Sequence, residues 1–245
     1  MAQNIDQVIE ELDAVVAWSI QHGEPAGLFA AMYRQVTLRV RDGIANGDFD
    51  DGPRMDRFDT VFAIRYLEAL RQHRRGERCS FVWSVVFDAS ARLRPMQHLF
   101  LGMGAHIGFD LPIAAAQVGG PNTEALGRDF ERINDILFSL IDGMQEVLDN
   151  HNPWMAGLDK LGGRVDEWVA AKALQRMRIQ AWNRAVELAR LRGERLRVAR
   201  RMLELRVAGT GSLIRHPIPG LPRISPKEPN LAVLIDDLNR VALQH

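Results

Sequence analysis

The sequence predicts an all-α fold, a single-domain bundle of about eight helices around a buried, Pro-kinked central helix at 97–118. Three observations carry this. Apolar residues recur at helical spacing along most of the chain, while strand-like alternation and internal repeats are not found. Turns rich in Gly, Pro, Asn and Asp divide these segments. One stretch, Gln97 to Ala116 (QHLFLGMGAHIGFDLPIAAA), is almost wholly apolar and has to lie inside, yet it carries His98, His106 and Asp110.

The elements follow in order. Ile5, Val8, Ile9, Leu12, Val15, Val16 and Ile20 mark a helix over 4–21, stopped by Gly23 and Pro25. A second runs from Ala26 to Ala45, with Leu28, Met32, Tyr33, Val36 and Val40 inward. The stretch 46–55 (NGDFDDGPRM) reads as a loop, and a third helix follows to Gln72. A fourth is expected over 81–94 with Trp83 and Phe87, after which Pro95 opens the central helix as its first residue. Gly119 to Asn122 ends that helix, and 123–149 is long and amphipathic. Asn150 to Gly163 reads as a linker, and Asp166 to Arg206 as one or two helices. A Pro-rich extended segment at 215–229 precedes a C-terminal helix at 230–243, with Asn230 as its cap if Pro229 spoils the Ser225 capping box. Domain organisation is one unit, 1–245.

Composition bounds the function. Net charge is zero, which argues against nucleic acid or an anionic membrane as the partner. Cys79 alone rules out an internal disulfide and a Cys-based zinc cluster. The acidic, amphipathic start is not a signal peptide, and the longest apolar run holds His, Asp and Pro, which disfavours a membrane span. A cytoplasmic location is the default expectation.

Within the central helix, His106 and Asp110 are four residues apart, a step that drifts by roughly 40° on an α-helix, so they share a face. Gly102, Gly104 and Gly108 are expected to let other backbones come close, and Pro112 to bend the helix by crowding the Gly108 carbonyl. Three readings of the pair stand. Both side chains can hold one divalent metal ion, with Asp129, His98 or Asp59 closing the set. Asp110 can orient His106 as a general acid or base, raising its pKa. Or the two satisfy each other in a core. A similar AHxxxDL pattern occurs in helical zinc-dependent phospholipase C and nuclease proteins, which need several more His ligands, and this chain has seven His in all.

Tyr33, Arg65, Tyr66 and Trp83 lie on or near predicted inward faces, and an Arg in FAIRYL needs a carboxylate, for which Asp110, Asp129 and Asp59 are candidates. Arg65 is then either a clamp for a substrate anion or a structural bridge. Asp129 is either a site carboxylate or a first-turn acid. The run 174–206 holds ten Arg against three Glu. Its interleaved Ala, Leu and Val favour a solvated helix face, or an inter-subunit salt-bridge face that would make a homodimer, over nucleic-acid binding. GxSxG, P-loop, GxGxxG and ExxH patterns are not found.

The segments AAMYRQVT (30–37), DDGPRMDRFDTVFAIRYL (50–67), QHLFLGMGAHIGFDL (97–111), DFERINDIL (129–137) and LIRHP (213–217), with Trp83, resemble an uncharacterised bacterial family, domain of unknown function 5995. The resemblance implies a helical single domain and carries no activity, cofactor or partner. The resemblance implies two departures: that family's central helix usually reads GMNAHI where this chain has Gly104, and its seventh usually reads ARDxAW where this chain has Ile179. The leading expectation is an enzyme acting on a largely apolar small molecule by hydrolysis, rearrangement or cyclisation. His106, Asp110 and Asp129 would be catalytic, with a metal, if any, on His106 and Asp110. Tyr33, Arg65, Tyr66 and Trp83 would hold the substrate. The alternative is a non-catalytic small-molecule-binding or interaction protein with a structural His–Asp pair.

Overall fold

The computed structural model describes residues 1–89, 93–120, 123–133, 136–137, 147, 165–214 and 230–241. Among them the fold is all-α, with no strand. The first helices are α1 (Ile5–His22), α2 (Ala26–Asn46), α3 (Gly52–Arg74) and α4 (Phe81–Phe87). The central helix is α5 (Pro95–Ala105), a wide π-helical turn (His106–Asp110) and α6 (Leu111–Gly119). Residues 123–133 form α7, followed by α8 (Val165–Arg190), α9 (Gly193–Ile214) and α10 (Leu231–Arg240).

Local chemistry sets most boundaries. The Asn4 side chain accepts from the Gln7 N–H at 3.0 Å, Asp51 from Arg54 at 2.9 Å and Asn230 from Ala232 at 3.0 Å, each satisfying an N–H that the first turn leaves without a partner. Asp51 thereby starts α3 at Gly52, inside the stretch expected to be loop. The fourth helix stops at Phe87 rather than running on to 94. Arg94 precedes Pro95 and is extended (φ −66°, ψ 149°), because the proline ring disfavours the α region before it. The expected helix over Asp166 to Arg206 divides at Gly193, whose φ of +54° is left-handed backbone that glycine adopts without a Cβ penalty. The expected linker at 150–163, most of the helix at 123–149 and the Pro-rich segment at 215–229 lie outside the described residues.

The central helix touches α2, α3 and α4 on one side and α8 and α9 on the other. Pro95–Gly119 is long and apolar enough to cross a membrane, and 72% of its most apolar window is buried inside the protein. The expected Pro112 distortion takes the form of the wide turn, in which the Leu111 N–H donates to the His106 carbonyl five residues back. Gly102 and Gly108 make room for side chains rather than backbones. A Cβ at Gly102 would meet the Phe29 ring at 2.6 Å, one at Gly108 would meet Val207 at 3.2 Å, and one at Gly104 would meet nothing within 4 Å.

Candidate functional site

The wide turn builds the polar centre of the molecule. His106 and Asp110 are its first and last residues, about one turn apart and on the same side of the helix. His106 Nδ1 is 3.1 Å from Asp110 Oδ2. Arg65 Nε–H of α3 donates to Asp110 Oδ1 at 2.9 Å, and Trp83 Nε1–H of α4 donates to Oδ2 at 2.8 Å. Asp110 is 1% exposed, so one buried carboxylate is shared by side chains from three elements. Of the three carboxylates named as candidates for Arg65, the structure selects Asp110.

A carboxylate only accepts, so this bond places the proton on His106 Nδ1 and leaves Nε2 as a bare lone pair. Nε2 is buried and has no hydrogen-bond partner. The imidazole stacks on Phe62 with ring centroids 3.6 Å apart, and meets Tyr33 edge-on at 4.6 Å and Phe29 at 5.6 Å. Burial lowers its pKa below the ordinary histidine value and outweighs the opposing bond to Asp110. The expected upward shift is therefore reversed. Phe62 went unnoticed in the sequence although Asp59, Phe62 and Tyr66 share one face of α3 at helical spacing.

Tyr33 and Tyr66 come to this centre as walls. Their rings lie 4.6 and 6.1 Å from that of His106, and both hydroxyls are buried without a hydrogen-bond partner. Burial raises both phenols above their ordinary value. Asp59, also buried, is pushed up to about 7 by desolvation and by the neighbouring Asp56 carboxylate.

Asp129 stands elsewhere. It accepts from Arg54 Nη2 at 2.6 Å, from Arg132 Nη1 at 2.8 Å and from the Asp50 N–H at 2.7 Å, fastening α7 to the start of α3. Among the described residues no three His, Cys, Asp or Glu side chains converge as a metal site would require. A cation at Asp110 would also face the Arg65 guanidinium.

Two cavities adjoin the central helix on different sides. The smaller, about 270 Å³, is a cleft lined by Arg65, Glu68, Gln72, Ser80, Trp83 and Asp110. The larger, about 500 Å³, lies between α4 and α5 on one side and α8 and α9 on the other. Val82, Val85, Phe100 and Leu101 supply apolar wall, Gly104 and Gly108 open its floor, and Gln180, Asn183 and Arg206 are polar. His106 lines neither. Ile179 is 53% exposed and is not part of the lining.

The Arg run resolves into roles. Arg184 and Arg197 pair with Glu187 and Glu194 three residues away on exposed helix faces, and Arg201 pairs with the half-buried Glu204. Arg178 is buried over the Phe130 ring and donates to the Phe130 carbonyl at 3.1 Å.

The model of DUF5995, a family of unknown function, matches residues 5–217, and the chain belongs to that family. No curated protein and no solved structure matches it.

Proposed function

We propose that this member of DUF5995 is a small-molecule-binding protein whose ligand occupies the cavity of about 500 Å³ beside Gly104, and that the His106–Asp110 pair is structural. The observation that carries the reading is the division of labour at the wide turn. Its polar side chains are spent on Arg65 and Trp83 and packed among aromatics, while its glycine side borders a void of ligand size. Pockets of roughly 300–1,000 Å³ with apolar walls and a few polar groups are the usual form of such sites.

The test is a fluorescence titration with N-phenyl-1-naphthylamine, a neutral apolar probe. Saturable one-to-one binding is expected, abolished in Gly104→Phe and kept in a folded His106→Ala. Binding that ignores the Gly104 substitution would refute the cavity as the site.

A second reading retains one supporting observation. Asp110, Arg65 and Trp83 line the cleft of about 270 Å³, so an acid–base enzyme could present the carboxylate there. It requires turnover that Asp110→Asn removes without unfolding the chain.

A further inference from the structure

The lining of the larger cavity is sorted by element. The walls from α4 and α5 are apolar, with Val82, Val85, Phe100 and Leu101, whereas the polar groups come from α8 and α9. Three of these are charged: Arg184, Glu187 and Arg206. Arg184 Nη1 holds Glu187 Oε2 at 2.7 Å, so those two cancel. Arg206 makes no ion pair among the described residues, and their part of the lining keeps one net positive charge. The same α8 and α9 faces bring uncharged donors to the lining, the amides of Gln180 and Asn183 and the hydroxyl of Thr210. Arg206 is exposed, so its guanidinium belongs to the mouth, as does the exposed Phe100 ring, whereas Val82, Val85 and Leu101 are buried and form the interior wall.

From this arrangement we infer the ligand class: an amphiphile with an apolar body and a single anionic end, such as an aliphatic carboxylate, its chain along α4 and α5 and its charge at Arg206. The inference rests on the proposed binding function and goes beyond it in naming the charge. A guanidinium at an apolar mouth offers a forked set of N–H donors that suits a carboxylate and repels an ammonium. The chain has its own length of apolar wall to bury against, which supplies affinity without specificity.

The experiment displaces N-phenyl-1-naphthylamine from the full chain with decanoate, decanol and decylamine, which share a chain and differ in the charge of the head. Decanoate is expected to displace the probe at least tenfold more tightly than decanol, and decylamine more weakly than either. Arg206→Gln should bring decanoate to within about twofold of decanol while leaving decanol unchanged. Gly104→Phe, or the smaller Gly104→Leu if the first does not fold by thermal melt, should weaken all three. Equal displacement by decanoate and decanol, with the probe still bound and still blocked at Gly104, overturns the anionic end and leaves the binding function standing. Tighter displacement by decanoate that survives Arg206→Gln overturns the assignment to Arg206. A chain that binds no probe at all removes the binding function itself.

Discussion

Arg65 Nε lies 2.9 Å from Asp110 Oδ1, with the guanidinium side chain 27% exposed and the carboxylate 1% exposed. The asymmetry decides which partner matters more. Removing Asp110 leaves the donors of Arg65, Trp83 and His106 without their acceptor, two of them in the interior. Breaking a buried pair from one side costs about 3–5 kcal/mol. Asp110→Ala should therefore lose about that much in urea unfolding. Arg65→Ala should lose less, because Trp83 and His106 still donate to the carboxylate. The reverse order would mean that Asp110 does not organise the centre.

The pH dependence follows from two buried groups that act in opposite directions. His106 has its pKa lowered from 6.5, chiefly by burial, so the unfolded chain takes up a proton that the folded one resists. Its contribution is present above about pH 6.5 and is lost as pH falls below it. Asp59 is raised from 3.8 to about 7, so the folded chain holds the extra proton between those values. Its contribution is present below 3.8 and is lost as pH rises through about 7. Asp59→Asn should stabilise the protein at pH 8 by roughly 2–4 kcal/mol. It should also leave a stability curve that climbs with pH through the His106 range. Chemical denaturation at pH 5, 6.5 and 8 reads both effects.

Two glycines on one helix should respond oppositely to the same substitution. Neither Gly102 nor Gly104 has a positive φ, so alanine suits the backbone at both. At Gly104 the new methyl meets nothing within 4 Å, and Gly104→Ala should stabilise by about 0.5–1 kcal/mol through helix propensity. At Gly102 it would lie 2.6 Å from the Phe29 ring, and Gly102→Ala should destabilise by about 1–3 kcal/mol. Thermal melts of the two variants side by side decide the matter.

Asp129→Ala separates architecture from ligand binding. The carboxylate is fully buried and satisfies Arg54, Arg132 and the Asp50 N–H, so its loss should cost about 3 kcal/mol or more. Probe affinity, measured where the variant is still folded, should stay within twofold. A larger change would connect Asp129 to the cavity, from whose lining it is absent.

How much of this was legible depends on the range of each interaction. Helical class and the inward faces of α1 and α2 follow from periodicity, which is local. The His106–Asp110 contact follows from a spacing of four. That Arg65 needs a carboxylate is an elementary consequence of burial, yet which of three it meets depends on how α3 crosses the central helix. Arg54 and Asp129 are 75 residues apart, and no local pattern links them. In the sequence the wide turn shows only as a proline bend, because its signature is one hydrogen bond reaching a residue further than usual. The cavity was the least readable feature, since a void records where side chains fail to meet. Gly104 looked like Gly102 and Gly108 until the neighbours of each were known.

A turn that closes over five residues puts one residue more into the helix than ordinary winding would accept. Removing one position between His106 and Asp110 would let regular winding resume with all that follows left in its present orientation, whereas removing one from the regular turns of α5 would swing it by roughly 100° about the axis. In the second case Ile113, Ala114 and Ala115, now packed inside, would be carried off their partners. The orientation of α6, and with it the seat of α8, is in this sense a matter of residue count rather than residue identity.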